Sequence, residues 1–181
     1  MTNIWLPLLP PPANGSQPSY AGASLVEAVC SGSDPSQVFT MPPAGGGALL
    51  HAASGLCLTA AGSGSEVALA ACAPGSGAQA WAVHAGDGSI TSGSGAQCLR
   101  INAQDDLPHQ PGNPVVGWTC SSGSAPAWNE QWVAPAPGAA GVVQARFQKG
   151  GGASNLCLSA PPSSGPRWTL PWLSEWSLKD Y

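Results

Sequence analysis

Residues 57–81, CLTAAGSGSEVALAACAPGSGAQAW, open with Cys-Leu, reach a second cysteine at Cys72 and close on Gln79-Ala80-Trp81. The same order returns in residues 98–132, where Cys98-Leu99 leads through a polar turn region and a β-prone segment to Cys120 and then to Gln131-Trp132. Residues 25–39, LVEAVCSGSDPSQVF, carry only the back half, with Cys30 nine positions before Phe39 just as Cys72 stands nine before Trp81. Residues 155–159, NLCLS, carry only a front half. Phe39 to Trp81 and Cys30 to Cys72 are each 42 positions, Cys57 to Cys98 is 41, and Trp81 to Trp132 is 51. A unit of this size, with three or four short strands, cannot bury its own apolar face, so the copies must pack on one another.

Within a unit the pattern predicts a strand at Leu56-Cys57-Leu58, a Gly/Ser turn over residues 61–65, a strand over 66–71, a further turn, and a strand around Trp81. Val67, Leu69 and Ala71 alternate with Glu66, Ala68 and Ala70, which gives one buried face. Twenty-four Gly, nineteen Pro and almost no run suited to an amphipathic helix make the fold all-β, short strands joined by turns. Phe39, Trp81 and Trp132 are the natural plugs of a shared centre, and an indole there also needs a partner for its N–H. Gln37, Gln79 and either Glu130 or Gln131 recur beside them, placed to brace the turn backbone.

The 181 residues fit one domain with tails. Residues 1–23 read as a Pro-rich linker, 24–165 as the repeat domain, and 166–181, with Trp168, Trp172 and Trp176, as a tail or the start of a neighbouring domain. Net charge is −4 and no Lys/Arg cluster exists to neutralise phosphates, so nucleic acid is not an expected partner. The six cysteines lack C-x-x-C spacing and favour disulfides, hence an oxidising, secreted or lumenal setting. Asn14-Gly15-Ser16 is a glycosylation sequon in keeping with that setting. The start, MTNIWLPLLPPP, is broken by prolines and does not read as a signal peptide, and no run is long enough to span a membrane. A secreted domain without its own signal reads as a piece of a longer chain or as an imperfect gene model.

Cys-Leu, a second Cys and a closing Q-x-W resemble the marks of the ricin B-type lectin domain, over about residues 24–160. The resemblance implies a β-trefoil of twelve short strands in three lobes about a pseudo-threefold axis. It also implies internal disulfides Cys57–Cys72 and Cys98–Cys120. Cys30 and Cys157 then remain, and if the threefold closes, the halves at 25–39 and 150–160 form one split lobe stapled by Cys30–Cys157. Truncation at both ends, with unfinished lobes, is the alternative, and six cysteines admit fifteen pairings.

In the family's galactose-binding units the resemblance implies an Asp just after Cys-Leu, an aromatic two before the second Cys, and an Asn-Gln pair before the closing Trp. The lobe closing on Trp132 has Trp118 in the aromatic place, Asn129 in the Asn place and Glu130 in the Gln place. Arg100 stands in the Asp place, with Asp105 and Asp106 in the long loop as other carboxylates. The lobe closing on Trp81 has Thr59, Ala70 and Ala78, and the split lobe has Ser159, Ala28 and Ser36. One sugar site around Trp118 and Asn129 is therefore expected, for a galactose-type or, given Arg100, an acidic glycan. The bland reading of Trp118 is a half-exposed strand residue under the long loop.

No nucleophile elbow, HExxH pair or phosphate loop is present. His51, His84 and His109 read as solvent-exposed loop residues, and Asp105-Asp106 as a solvated turn rather than a glycosidase pair. No catalytic residue, metal or other cofactor is expected. A second reading is a non-binding accessory domain linked to a catalytic domain in a larger secreted glycoside hydrolase; a third is a module for protein contact.

Overall fold

The computed structural model describes residues 19–102, 109–121, 126–146 and 154–161. Asn14, Asp105, Asp106 and the tail tryptophans Trp168, Trp172 and Trp176 lie outside the described residues. The strands are β1 (Val26–Val29), β2 (Val38–Thr40), β3 (Gly47–Ala48), β4 (Leu50–His51), β5 (Cys57–Ala60), β6 (Ser65–Ala70), β7 (Ala80–His84) and β8 (Ser89–Ser92). They continue as β9 (Gln97–Ile101), β10 (Val115–Thr119), β11 (Trp132–Val133), β12 (Ala140–Val142), β13 (Gln144–Ala145) and β14 (Leu156–Ser159). Three single turns of 3-10 helix, Pro35–Gln37, Gly77–Gln79 and Trp128–Glu130, each lead into a closing motif.

These fourteen strands reduce to the twelve of a trefoil. β3 and β4 are one arm interrupted at Leu49, pairing first with β7 of its own lobe and then with β2 of the preceding one. β12 and β13 repeat this around Val143, pairing with β2 and then β11. The crossing arm of the remaining lobe is β8, which pairs with β7, while the carbonyl of Gly88 accepts from Trp132 N at 2.7 Å. Gly88 has φ +81°, and a Cβ there would meet the Trp132 carbonyl at 2.8 Å, so this crossing requires glycine.

The split lobe closes. β1 pairs with β14 along its whole length, Val26 with Ser159 through Val29 with Leu156, and Cys30 is bonded to Cys157. Cys57–Cys72 and Cys98–Cys120 are the other two bridges. Threefold-equivalent side chains meet in the core: Leu25, Val67 and Val115; Leu49, Ile90 and Val143; Leu58, Leu99 and Leu158; and the plugs Phe39, Trp81 and Trp132. Trp81 Nε1 donates to the Leu58 carbonyl at 3.0 Å and Trp132 Nε1 to that of Leu99 at 2.9 Å, so two plugs satisfy their N–H inside the core. Phe39 has no N–H to offer. Val67 and Leu69 are buried as expected, but Ala71 is exposed because β6 ends at Ala70. Tyr20, within the stretch read as linker, packs on His51 with ring centroids 4.4 Å apart.

The histidine expectation needs correction: His51 and His109 are buried, and only His84 is exposed. His51 is wedged between Tyr20 and Phe39, with Nδ1 2.8 Å from Ser54 Oγ and Nε2 2.9 Å from the Pro35 carbonyl. A neutral ring with its proton on Nε2 satisfies both, since the carbonyl can only accept. His109 Nδ1 lies 3.1 Å from Glu27 Oε1, and the ring tilts against Trp128 at 4.6 Å. Glu27 occupies the position of Leu69 in the neighbouring lobe, and Asn113 Nδ2 donates to its Oε2 at 3.2 Å. The segment from Cys98 to Cys120, 22 positions against 15 from Cys57 to Cys72, thus carries a histidine that lies against a carboxylate of the split lobe.

Two outcomes follow. Cys30–Cys157 closes a separation of 127 residues against 15 for Cys57–Cys72. On the chain-entropy estimate its loss costs about 4 to 5 kcal/mol against about 3. Urea unfolding of the two Cys→Ser double variants should give that order, and an equal or smaller loss for C30S/C157S would contradict the staple. Burial pushes the His51 ring below the ordinary histidine value, against the opposing pulls of the Pro35 carbonyl and Asp34. Its contribution is therefore complete above the unfolded value of about 6.5 and declines as pH falls below it. The urea midpoint should fall less between pH 7.5 and 5 in His51→Gln than in the parent; equal slopes would show that His51 is not the sensor.

Candidate functional site

β9 and β10 form the hairpin that carries the sugar candidates of the lobe closing on Trp132. Their register sets Val116 against Arg100 and Trp118 against Cys98, so Arg100 and Trp118 stand diagonally on one face. Trp118 is 42% exposed, whereas Trp81, Trp132 and Phe39 are buried. The turn before β6 braces it: Gly64 N donates to the Gly117 carbonyl at 2.7 Å and Ser63 Oγ accepts from Thr119 N at 3.1 Å. Gly64 has φ +81°, and a Cβ there would sit 3.2 Å from Trp118 Cζ3, so the turn comes against the benzo ring only because the residue is glycine. The Arg100 guanidinium carbon lies 5.4 Å from the centre of the indole, within cation–π reach.

Behind this surface, the closing motifs brace their turns as expected. Gln37 Nε2 donates to the Val29 carbonyl and Gln79 Nε2 to that of Ala71, both at 2.9 Å. Their Oε1 atoms accept from Ser31 N and Ala73 N, both at 2.7 Å. In the third lobe Glu130, not Gln131, takes this place. Its carboxylate accepts from Ser121 N at 3.2 Å, Ser121 Oγ at 3.1 Å and Ala127 N at 3.3 Å. A carboxylate cannot donate to the remaining turn carbonyl, and it carries a charge while 0% exposed. Arg100 Nη1, 3.8 Å from Glu130 Oε1, supplies the counter-charge. The equivalent contact in the lobe closing on Trp81 is neutral, Gln79 Nε2 to Thr59 Oγ1 at 3.0 Å. In the split lobe Ser159 Oγ meets Ser36 Oγ at 3.0 Å.

Asn129 is buried, and its Nδ2 donates to the Ile101 carbonyl at 3.1 Å, tying the 3-10 turn to the strand that carries Arg100. Among the described residues its Oδ1 has no hydrogen-bond partner. The hairpin therefore brings Trp118 and Arg100 together at the surface, with Glu130 and Asn129 as their support beneath. Two shallow pockets of about 290 and 380 Å³ adjoin the bridges Cys98–Cys120 and Cys57–Cys72, and no Trp, Tyr or Phe lines either one. Among the described residues no group of three or more His, Cys, Asp or Glu gathers as a metal site would require, and no helix is long and apolar enough to cross a membrane. The pairing of Glu27 with His109 was not visible in the sequence; its signal was a Glu where the aligned lobes carry Leu69 and Gly117.

The Arg100–Glu130 pair yields a double-mutant prediction. Arg100→Thr alone should destabilise the fold by about 1 to 3 kcal/mol, because it leaves a buried carboxylate short of its counter-charge. R100T/E130Q rebuilds the Thr–Gln contact of the neighbouring lobe and should recover most of that loss. Chemical unfolding of the four proteins measures the coupling, and additive losses would deny it.

The family model described as the ricin-type beta-trefoil lectin domain matches residues 13–128 and, in an overlapping register, 47–172. Near-equivalent units permit such a double match. No curated protein and no solved structure matches significantly. A domain of this kind is a carbohydrate-binding, non-catalytic module, and the three disulfides are consistent with an extracellular location. With the matches spanning most of its length, the three lobes closed and the closing motifs in place, the chain belongs to the ricin-type beta-trefoil lectin domain family.

Proposed function

We propose that the chain is a lectin module that binds a glycan through one lobe, around Trp118 and Asn129, while the other two lobes are structural. The observation that carries this reading is the exposure of Trp118: it is the one indole or phenyl ring among the described residues that is more than a third exposed. An aromatic plane fixed at the surface is what the apolar face of a pyranose needs. The lobe closing on Trp81 has Ala70 and the split lobe Ala28 at that place, so neither offers a plane. Their polar counterparts, Thr59 and Ser159, are spent on Gln79 and Ser36. Asn129 and Glu130 are read as positioning residues for the strand and the guanidinium above them.

The surface is shallow and single, so the expected affinity is on the order of millimolar to tens of micromolar. Such a module suits a longer secreted chain in which a linked catalytic domain gains from a raised local concentration on a polymeric substrate. A second reading, a structural accessory domain of a secreted glycoside hydrolase, draws on the loss of the aromatic plane from two of three lobes. A glycan array followed by titration of the full, disulfide-bonded chain separates the two. Binding that vanishes in Trp118→Ala, at an unchanged unfolding temperature, is the expected result; a folded parent that binds nothing would favour the accessory domain.

A further inference from the structure

Resting on that lectin reading, we propose that the ligand of this lobe is an anionic sugar, carrying a carboxylate or a sulfate that Arg100 holds while the pyranose ring lies against Trp118. The groups left free at the surface favour this chemistry. Asn129 and Glu130 are enclosed, Asn129 donating from Nδ2 to the Ile101 carbonyl and Glu130 accepting from Ser121 and Ala127. What remains is an indole and a guanidinium whose side chain is 23% exposed. A guanidinium offers five N–H donors and no acceptor, and it keeps its charge, so its best partner brings anionic acceptor oxygens in a fork. Arg100 Nη1 lies 3.8 Å from Glu130 Oε1, an ion pair without a short hydrogen bond. No hydrogen bond of the Arg100 fork is present among the described residues, which leaves its remaining donors available. Glu130 meanwhile accepts hydrogen bonds from Ser121 and Ala127.

The charges around the site define how such a ligand is selected. Glu66 lies in register with Val116, the strand neighbour of Arg100, and the chain as a whole carries −4. No long-range positive field draws an anion in, so the preference comes from direct pairing with Arg100 and not from steering. Thr59 and Ser159, at the matching positions of the other lobes, have no charge to give.

The test pairs acid with neutral sugar: methyl glucuronide with methyl glucoside, methyl galacturonide with methyl galactoside, and galactose 6-sulfate with galactose, titrated calorimetrically into the full chain. The acidic member of at least one pair should bind about tenfold tighter or more, and the carboxylate and sulfate arms identify which anion is taken. R100T/E130Q, with its fold verified by its unfolding midpoint, should bring the ratio to about one, and Arg100→Lys, which keeps the charge but removes the planar fork, should leave a reduced preference. Neutral sugars binding the parent as well as acidic ones, with that binding abolished by Trp118→Ala, would overturn this inference and leave the lectin reading standing. An acid preference undiminished in R100T/E130Q would overturn it too. A folded parent that binds none of the six sugars and nothing on the array would remove both.

Discussion

Each lobe covers the apolar side of the other two, and the rest of the molecule depends on that mutual burial. Four short strands with Ala, Ser and Gly on their outer faces have nothing to gain alone; placed around an axis, they bring Leu25, Val67 and Val115 together, and below them the layers of Leu49, Leu58 and their equivalents. The crossing arms transmit this closure from lobe to lobe, each pairing first with one closing strand and then with the next. Since one lobe is assembled from two segments far apart in the sequence, its closure hangs on β1 pairing with β14. Four paired residues and a disulfide secure that junction.

A symmetric core leaves the periphery free to diverge, and the lobe closing on Trp132 has done so in a correlated way. Replacing the turn-bracing glutamine by Glu130 removes a donor and buries a charge, which an unpaired site would not tolerate. Arg100, where the sister lobes have hydroxyl residues, offsets that charge from the β9–β10 hairpin beside the 3-10 turn that carries Glu130. The longer loop of this lobe carries His109 against Glu27, at a position where the other lobes have Leu69 and Gly117. Both changes are legible as pairs and neither makes sense as a single residue.

The sequence was informative to different depths for a physical reason. Features fixed by the repeat were visible: the plugs, the closing glutamines and the three lobes, because each recurs at a constant offset and backbone geometry demands it. The disulfide between Cys30 and Cys157 emerged from adding two half-units, a step that needed the threefold as a premise. What one sequence hid were pairings between residues far apart in the chain that occur once. His51 and His109 looked like loop residues because turns flank them, yet Tyr20 and Phe39 cover the one and Trp128 with Glu27 the other. The interruption of β3–β4 at Leu49 was likewise hidden, since a strand that changes partners midway looks like any short strand.

The same distinction bears on the candidate site. By type alone, Trp118 and Asn129 both match the sugar positions of the family pattern in this lobe. Their environments differ: Asn129 is buried and its amide donates to the Ile101 carbonyl, while Trp118 is exposed. Arg100 is the mismatch, and it is the residue that reaches solvent beside the indole. Function in a trefoil lobe is decided by which groups remain unspent after the turn has been braced and the core closed. At the matching place Thr59 is bonded to Gln79 and Ser159 to Ser36, whereas in the third lobe a guanidinium and an aromatic plane reach the surface, and that difference is the ground on which this lobe is proposed to hold a ligand.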